Sequence, residues 1–271
     1  MIESKKNING QTLYTLQNSN ESEISVCIVH GYAEHINRYK IFYEKLDASG
    51  FRVLGYDHRG HGQSEGKRAI IDSFDTYVED LHSIVSSFFQ KGKKNFLFAH
   101  SMGGLITTLY LQKYNNPDIT GVITSGVALK MYDKTPPLLE KLAGPISSIF
   151  PSFPTVPVKP HVVSRDPEIV KDYTSDPLNY TKPTKAKMGF EFLNAQKKAY
   201  ANLSKITKPI FINHGGSDIL IHADSSTDLY NEISSSDKSL KIWDELYHEL
   251  LNEPEKNEVA DAIINWILER S

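Results

Sequence analysis

Short, continuous apolar runs recur along this chain, separated by stretches in which apolar residues return with helical spacing. A strand that is apolar at every position has both faces buried, which is typical of a parallel sheet covered by helices on either side. The pattern therefore predicts an α/β fold with a mostly parallel central sheet and helices on both faces. The strand candidates are residues 25–29, 52–56, 95–99, 121–124, 209–213 and 240–243.

Helices are predicted between most of these strands from apolar spacing and from end signals. One spans residues 39–49 and stops at Gly50, and the last spans 259–268. Two more are marked by the apolar faces Phe74, Val78, Leu81, Val85, Phe88 and Leu105, Leu109, the second ending at Asn115-Asn116-Pro117.

The chain is expected to open with an antiparallel hairpin. Asn9-Gly10 lies between short alternating segments within residues 5–17. This dipeptide favours a two-residue turn because both of its residues tolerate positive φ.

The alternation of strands and helices breaks between residues 127 and 183, where prolines are dense and no strand pattern appears. Long connections in compact domains are usually functional lids or disordered linkers, and the apolar character of residues 138–150 favours a lid. We therefore predict a single core domain formed by residues 1–126 and 184–271, with a cap inserted at 127–183.

Charge and cysteine content exclude several classes of protein. Among 271 residues, 30 Lys and Arg against 33 Asp and Glu give a formal net charge of −3, which provides no basic surface for nucleic acid. The single cysteine, Cys27, excludes an intramolecular disulfide and a cysteine-based metal site.

Residues 1–7 lack the apolar stretch of a signal peptide, and no uncharged apolar run approaches a membrane span of about 18 residues. A cytoplasmic location is expected.

The sharpest local signal is the segment FLFAHSMGG at residues 96–104, an apolar strand that runs into a tight turn and then a helix. A turn of this kind that carries a serine is a nucleophile elbow. Small residues on either side of the serine are needed because larger side chains would clash with the neighbouring strand and helix. Here Ser101 is the predicted nucleophile, Gly103 is the small residue after it, and Ala99 stands where glycine is usual.

A serine hydroxyl needs a base that is oriented by an acid. Where the serine lies on a nucleophile elbow of a doubly wound sheet, these groups follow it in the order acid, then histidine. Asp218 lies in a loop after the strand candidate 209–213, and His248 follows the candidate 240–243. Both loops leave the carboxyl edge of the sheet, where ligands bind. Asp224 and His222 remain the alternative acid and base, and turn caps are the purely structural interpretation.

An oxyanion hole needs two backbone amides, one from the residue after the nucleophile and one from a loop after an earlier strand. Met102 supplies the first amide. Gly31 allows the chain to turn over the site after strand 25–29, so the amide of Tyr32 is the predicted second donor.

The histidine-rich loops also invite a metal-site interpretation. The chain has 10 histidines, and the pairs His30 with His35 and His58 with His61 are candidate ligands. No cysteine contributes and no His-Glu-x-x-His helix occurs, so we expect no metal, and His58 and His61 are interpreted as supports of the elbow and oxyanion loops. No phosphate-binding glycine loop follows a strand, so no cofactor is predicted.

Four segments together resemble the monoacylglycerol lipase and lysophospholipase group of the α/β-hydrolases. They read HGYAEH with Arg38-Tyr39 at 30–39, DHRGHGQSEG at 57–66, HSMGG at 100–104 and YHELLNE at 247–253. The stretch SRDPE at 164–168 resembles the point where the cap of that group returns to the core. The resemblance implies an α/β-hydrolase fold with an inserted cap, a triad of Ser101, Asp218 and His248, and oxyanion donors at Tyr32 and Met102. Tyr32 departs from the small residue of the mammalian enzymes.

The predicted activity is that of a serine hydrolase that cleaves carboxylic esters of lipids through an acyl-enzyme. The apolar cap suits one long acyl chain and can contact a membrane surface peripherally, with Leu138, Leu142, Ile146 and Ile149 as substrate-binding candidates, although these side chains can equally pack the cap onto the core. The alternatives are a short-chain or aromatic-acyl esterase or a peptidase of the same fold, and a catalytically silent ligand-binding protein. The oligomeric state is not predicted.

Overall fold

The computed structural model describes residues 1–132 and 137–271, with the backbone alone for 137–140. In this part of the chain, one sheet is built from β1 Ile2–Ile8, β2 Gln11–Gln17, β3 Ile24–Val29, β4 Arg52–Tyr56, β5 Lys94–His100, β6 Gly121–Ser125, β7 Ile210–Gly215 and β8 Lys238–Trp243. The strand order is β1-β2-β4-β3-β5-β6-β7-β8. The pairs of β2 with β1 and β4 are antiparallel, and all other neighbours are parallel. The predicted mostly parallel sheet is confirmed.

Helices cover both faces of this sheet. Alternate residues of β3 enter different cores. Val26 and Ile28 pack with the helices at 40–48 and 256–268, whereas Cys27 and Val29 pack with helices that include those at 74–88, 102–114 and 186–200. Burial on both faces is the reason that the strand reads as a continuous apolar run. The described helices are α1 Lys40–Ala48, α2 Phe74–Phe88, α3 Met102–Tyr114, α4 Pro137–Ile149, α5 Pro167–Ser175, α6 Ala186–Tyr200, α7 Asp224–Glu232 and α8 Lys256–Leu268.

The hairpin at the start of the chain forms as predicted. Ile8 pairs with Gln11, which leaves Asn9 and Gly10 as the turn, with φ of 47° and 77°. Positive φ at both central residues gives the turn a twist that matches the two strands.

The segment between β6 and β7 leaves the sheet, although these two strands are neighbours. Its described residues add no strand to the sheet and only the isolated bridges of Met131 with Ile221 and of Pro154 with Lys185. The predicted break in the strand pattern is therefore confirmed. The division into a core and a cap at 127–183 stays a prediction.

Four helices, α4 to α7, were not predicted from the sequence. α6 buries mainly small residues such as Ala195 and Ala199, and α7 buries Ser225 and Ser226, so neither has a strong apolar period. α5 has a readable start, since Asp166 caps it through the amide of Glu168 and Pro167 occupies its first position. Over the described residues, no helix combines the length and the apolarity needed to cross a bilayer.

Candidate active site

Ser101 lies at the sharp junction between β5 and α3, with φ 51° and ψ −114°. This left-handed conformation is strained for a residue with a side chain, and such strain is concentrated at functional turns. A Cβ on Gly103 would lie 2.2 Å from the carbonyl oxygen of Val29, so only glycine fits there. Ala99 is fully buried in the core, which accommodates the methyl group that departs from the usual glycine.

His248 and Asp218 meet Ser101 at the carboxyl edge of the sheet. His248 Nε2 lies 2.9 Å from Ser101 Oγ, and His248 Nδ1 lies 2.7 Å from Asp218 Oδ2. The amides of Leu220 and Ile221 donate to the other carboxylate oxygen, Asp218 Oδ1, at 2.8 and 3.0 Å. The three side chains therefore form one continuous hydrogen-bonded line.

The alternative acid and base do not join this line. His222 Nδ1 lies 3.3 Å from Asp224 Oδ2, and both side chains are exposed. Among the described contacts, neither residue touches Ser101. They form a local pair at the start of α7.

Electrostatics keep the acid ionised and raise the basicity of the histidine. Burial raises the pKa of Asp218, but attraction to His248 and hydrogen bonds from His214 and His248 outweigh it, so the net pKa is lowered. For His248, burial lowers the pKa, whereas the attraction and hydrogen bond of Asp218 raise it, with a net increase. An ionised carboxylate that holds Nδ1–H leaves Nε2 free to accept the serine proton.

The loop after β3 lies directly against the serine. A Cβ on Gly31 would lie 3.2 Å from Ser101 Cβ and 3.1 Å from His100 Cδ2. Within the described part of the chain, the amides of Tyr32 and Met102 donate no hydrogen bond to another residue. Both predicted oxyanion donors are therefore free to bind a ligand oxygen.

The ring of Tyr32 is half-buried among aromatic groups. Its centroid lies 5.6 Å from that of His61, 6.3 Å from that of Tyr180 and 5.8 Å from that of Phe192. The side chain thus joins the loop after β3 to α6 and to the segment that precedes it.

The buried histidines support loops. The amide of His58 donates to His30 Nε2 and His58 Nε2 donates to the His30 carbonyl, both at 2.9 Å, so the loops after β3 and β4 are joined. Burial is the main cause that lowers the pKa of His58 to about 4 and that of His61 to about 3, so both are neutral. No group of three or more ligand side chains in the described residues is arranged to hold a metal ion.

Sequence reasoning missed three contributions to the site. Gly126 has φ 56°, and a Cβ there would lie 3.1 Å from the ring of His248. His214 Nε2 lies 3.3 Å from Asp218 Oδ2. Glu249, next to His248, pairs with Arg38, which is 211 residues away in sequence. No local sequence pattern predicts any of these contacts.

Unlike the buried triad, the predicted substrate-binding residues of the cap are at least partly exposed where the structure describes their side chains. Leu142 and Ile149 are exposed, and Ile146 is half-buried. The side chain of Leu138 lies outside the described residues. Their role in substrate binding stays a prediction.

Comparison with known proteins places the chain in a family. The Hydrolase_4 model, described as serine aminopeptidase S33, matches residues 20–255. The chain belongs to this family. Within this family it falls in the monoacylglycerol lipase group of the α/β-hydrolases, as the sequence resemblance predicts, and it is a carboxylic ester hydrolase.

Individual relatives match over nearly their full length. The chain is 32% identical over 245 residues to the monoacylglycerol lipase of Mycolicibacterium smegmatis, and the match covers 90% of this chain and 87% of the relative. It is 32% identical over 251 residues to human monoglyceride lipase, covering 91% and 82%. The crystal structure of Paleococcus ferrophilus monoacylglycerol lipase superimposes with a TM-score of 0.87 at 31% identity, covering 96% of this chain and 99% of that one.

Proposed function

We propose that this Hydrolase_4 member cleaves monoacylglycerols with Ser101 as nucleophile, His248 as general base and acid, and Asp218 as the orienting acid. The observation that carries the proposal is the line of hydrogen bonds from Ser101 Oγ through His248 to Asp218, with lengths of 2.9 and 2.7 Å. All three side chains are buried, which shields the line from water.

The reaction follows from this geometry. Ser101 Oγ attacks the ester carbonyl while His248 Nε2 takes its proton, and His248 then returns the proton to the leaving alcohol. The free amides of Tyr32 and Met102 stabilise the negative charge on the carbonyl oxygen. Water repeats the sequence on the acyl-enzyme and releases a fatty acid.

The substrate class rests on the relatives and on the segment between β6 and β7. Monoacylglycerol is the substrate named for the related lipases, and lysophospholipids carry the same single acyl chain. In the proposed cap, residues 127–183, we assign substrate contact to α4, on which Leu138, Leu142, Ile146 and Ile149 lie.

We also propose that this cap contacts the membrane surface peripherally. Several of its exposed apolar side chains lie close together in the sequence, on and after α4, and exposed apolar surface marks lipid or partner contact. These residues are Leu142, Ile149, Phe150, Phe153 and Val156.

A panel of substrates tests the proposed function. Initial hydrolysis rates are measured for monoacylglycerols, lysophospholipids and simple esters of two to eighteen acyl carbons, and for alanine p-nitroanilide, with wild type and Ser101→Ala in parallel. We expect a long-chain monoacylglycerol optimum and a loss of about 10⁵-fold or more in the variant.

Other outcomes change the conclusion in separate ways. A short-chain optimum that is lost in Ser101→Ala would support the triad but identify the protein as a short-chain esterase. Cleavage of the anilide alone would identify it as a peptidase. Equal rates in the two proteins exclude Ser101 as the nucleophile. No turnover together with no labelling by a serine-directed phosphonate points to a ligand-binding protein.

A further inference from the structure

Three ionisable side chains are buried together next to the proposed triad. Glu34 and Glu249 are 2% and 6% exposed, and the side chain of Arg38 is 9% exposed. Burial raises the pKa of Glu34 to about 7, whereas for Glu249 attraction to Arg38 and its hydrogen bonds outweigh burial and lower the pKa. Arg38 and Glu249 are therefore an ionised pair at neutral pH.

The group joins two loops that are far apart in sequence. Arg38 Nη1 and Nη2 each donate to one oxygen of Glu249 at 2.6 Å, which is a bidentate contact. Arg38 Nη1 also donates to Glu34 Oε2 at 3.0 Å. A planar guanidinium that donates to two carboxyl groups fixes their relative position. A lysine ammonium lacks this planar fork and cannot do so.

Both ends of the group lie next to residues with proposed roles in the reaction. Glu34 Oε1 accepts the amide of Gly31 at 2.6 Å and the hydroxyl of Tyr39 at 2.7 Å, and Gly31 directly precedes Tyr32. Glu249 directly follows His248. The ion group therefore spans from the proposed oxyanion loop to the proposed base.

The proposed cap covers this group. The guanidinium carbon of Arg38 lies 4.6 Å from the ring centroid of Tyr173 on α5, and the hydroxyl of Tyr173 donates to the Ala33 carbonyl at 3.3 Å. The amide of Glu249 donates to the carbonyl of Val163 at 2.8 Å. Solvent is thus excluded from the charges, which strengthens their mutual attraction.

Stability alone is a weak reason to bury such a group. Moving charges out of water is costly, and apolar residues of similar volume often stabilise a protein as well or better. A buried ion group does, however, determine where its partners sit. Displacement by about 1 Å at a reaction centre can cost about 10²-fold in rate.

We propose that Glu34, Arg38 and Glu249 form a positioning clamp that holds the oxyanion loop and the loop of His248 at the correct separation around Ser101. None of the three is a catalytic residue: they act through Gly31, Tyr32 and His248. The inference rests on the proposed function, because it assigns those groups their roles.

The test compares Arg38→Lys with Arg165→Lys in the full chain. Arg165 is the control, since it also pairs with several carboxylates, namely fully buried Glu253, Glu255 and Glu245. Its described contacts include no residue of the loop of Gly31. Hydrolysis of p-nitrophenyl butyrate gives kcat and KM, and thermal unfolding gives the stability of each variant. This soluble ester reports the chemistry without reference to the lipid substrate.

We expect Arg38→Lys to lower kcat about 10²-fold with KM changed less than about threefold, because the clamp acts on the reacting geometry. Arg165→Lys keeps kcat within about threefold of wild type at a similar loss of stability. Glu34→Gln, which keeps one acceptor oxygen, is expected to have an intermediate kcat, and it takes the place of Arg38→Lys if that variant does not fold.

Two results overturn the clamp: wild-type kcat in a folded Arg38→Lys or Glu34→Gln protein, or equal losses of kcat in the Arg38 and Arg165 variants. A Ser101→Ala control separates this failure from that of the proposed function. If Ser101→Ala hydrolyses the ester at the wild-type rate, the triad assignment fails. If only Ser101→Ala loses activity, the triad stands and the clamp is wrong.

Discussion

The carboxyl edge of the sheet and the segment after α4 hold their important side chains in opposite ways. At the edge, Ser101, Asp218 and His248 are 8%, 4% and 6% exposed and are bonded to one another. After α4, Phe150 and Phe153 are 61% and 56% exposed. Buried polar groups need fixed partners, whereas exposed apolar groups are available to a lipid or another apolar surface.

This difference teaches how each region responds to change. At the edge, a displacement of less than an ångström breaks a hydrogen bond, so conservative substitutions are expected to have large effects on turnover. In the exposed segment, side chains contribute through apolar area, so effects are expected to be small and to depend on the presence of an interface.

The largest expected effect is that of Asp218→Asn. Asparagine keeps the shape of the side chain but cannot stabilise the histidine tautomer that Asp218 selects, so we expect a loss of about 10⁴-fold in kcat. Asp224→Asn is the control, since that exposed acid belongs to the local pair with His222. Steady-state kinetics on p-nitrophenyl butyrate measure both. Comparable losses in the two variants would contradict the assignment of Asp218.

Gly31→Ala is expected to be the next most damaging change. Its methyl group would lie 2.8 Å from Glu34 Oε1 and 3.2 Å from Ser101 Cβ, so the loop has to move away from the serine. Displacing one oxyanion donor lowers kcat by about 10² to 10³-fold. Gly189→Ala in α6 is the control, because the nearest described atom outside the backbone of its own helix is Thr155 Oγ1, 3.8 Å from the added methyl. Retained kcat in Gly31→Ala would place the oxyanion donor elsewhere.

The dependence of activity on pH tests the electrostatics of the buried edge. His248 must be neutral to accept a proton, and Asp218 raises its pKa above the ordinary value of about 6.5. We therefore expect kcat/KM to rise about tenfold per pH unit below a midpoint that lies above this value. A flat profile between pH 5 and pH 9 would refute His248 as the base.

The contribution of His248 to stability is expected to change with pH in the opposite direction to activity. Because the pKa of His248 is raised in the folded chain, its protonated form stabilises the fold. That contribution is complete below the unfolded pKa and is lost as pH rises through the folded one. Thermal unfolding of wild type and His248→Gln across the same pH window measures it, since the variant lacks the titrating group.

The smallest effect is expected from the double variant Phe150→Ser, Phe153→Ser. Loss of two exposed aromatic side chains weakens insertion into a lipid surface, so we expect hydrolysis of vesicle-bound monoacylglycerol to fall about tenfold or less, with soluble esters unchanged. The control is Ile41→Ser, Leu268→Ser, two exposed apolar residues on α1 and α8. An equal fall in both double variants would remove the membrane assignment from this segment.

The order of strands and helices was predictable from local pattern. The ends of each strand candidate lie within two residues of the ends of an observed strand. The helix expected at 39–49 is observed as Lys40–Ala48. Strands buried on both faces are apolar at successive positions, and this signal does not depend on neighbours. α6 and α7 escaped prediction because small residues let them pack closely without an apolar stripe.

The candidate site was predictable only where a local motif points to it. Ser101, Asp218 and His248 each follow a strand, so chain order and the shared edge of a parallel sheet are enough to group them. For the proposed clamp, only Glu34 and Arg38 carry a local sign, their spacing of four residues. The pairing of Arg38 with Glu249 has none, since its partner lies on another loop.

The sequence by itself determined the alternation of elements, the hairpin at Asn9-Gly10 and the residue types that can carry acyl transfer, because these depend on short-range periodicity and turn chemistry. The tertiary structure alone decided which acid faces His248, which amides stay free beside Ser101, and which charges meet around Arg38. Those contacts join residues from different strands and loops. Their energies depend on burial and on distances that exist only after the sheet has formed.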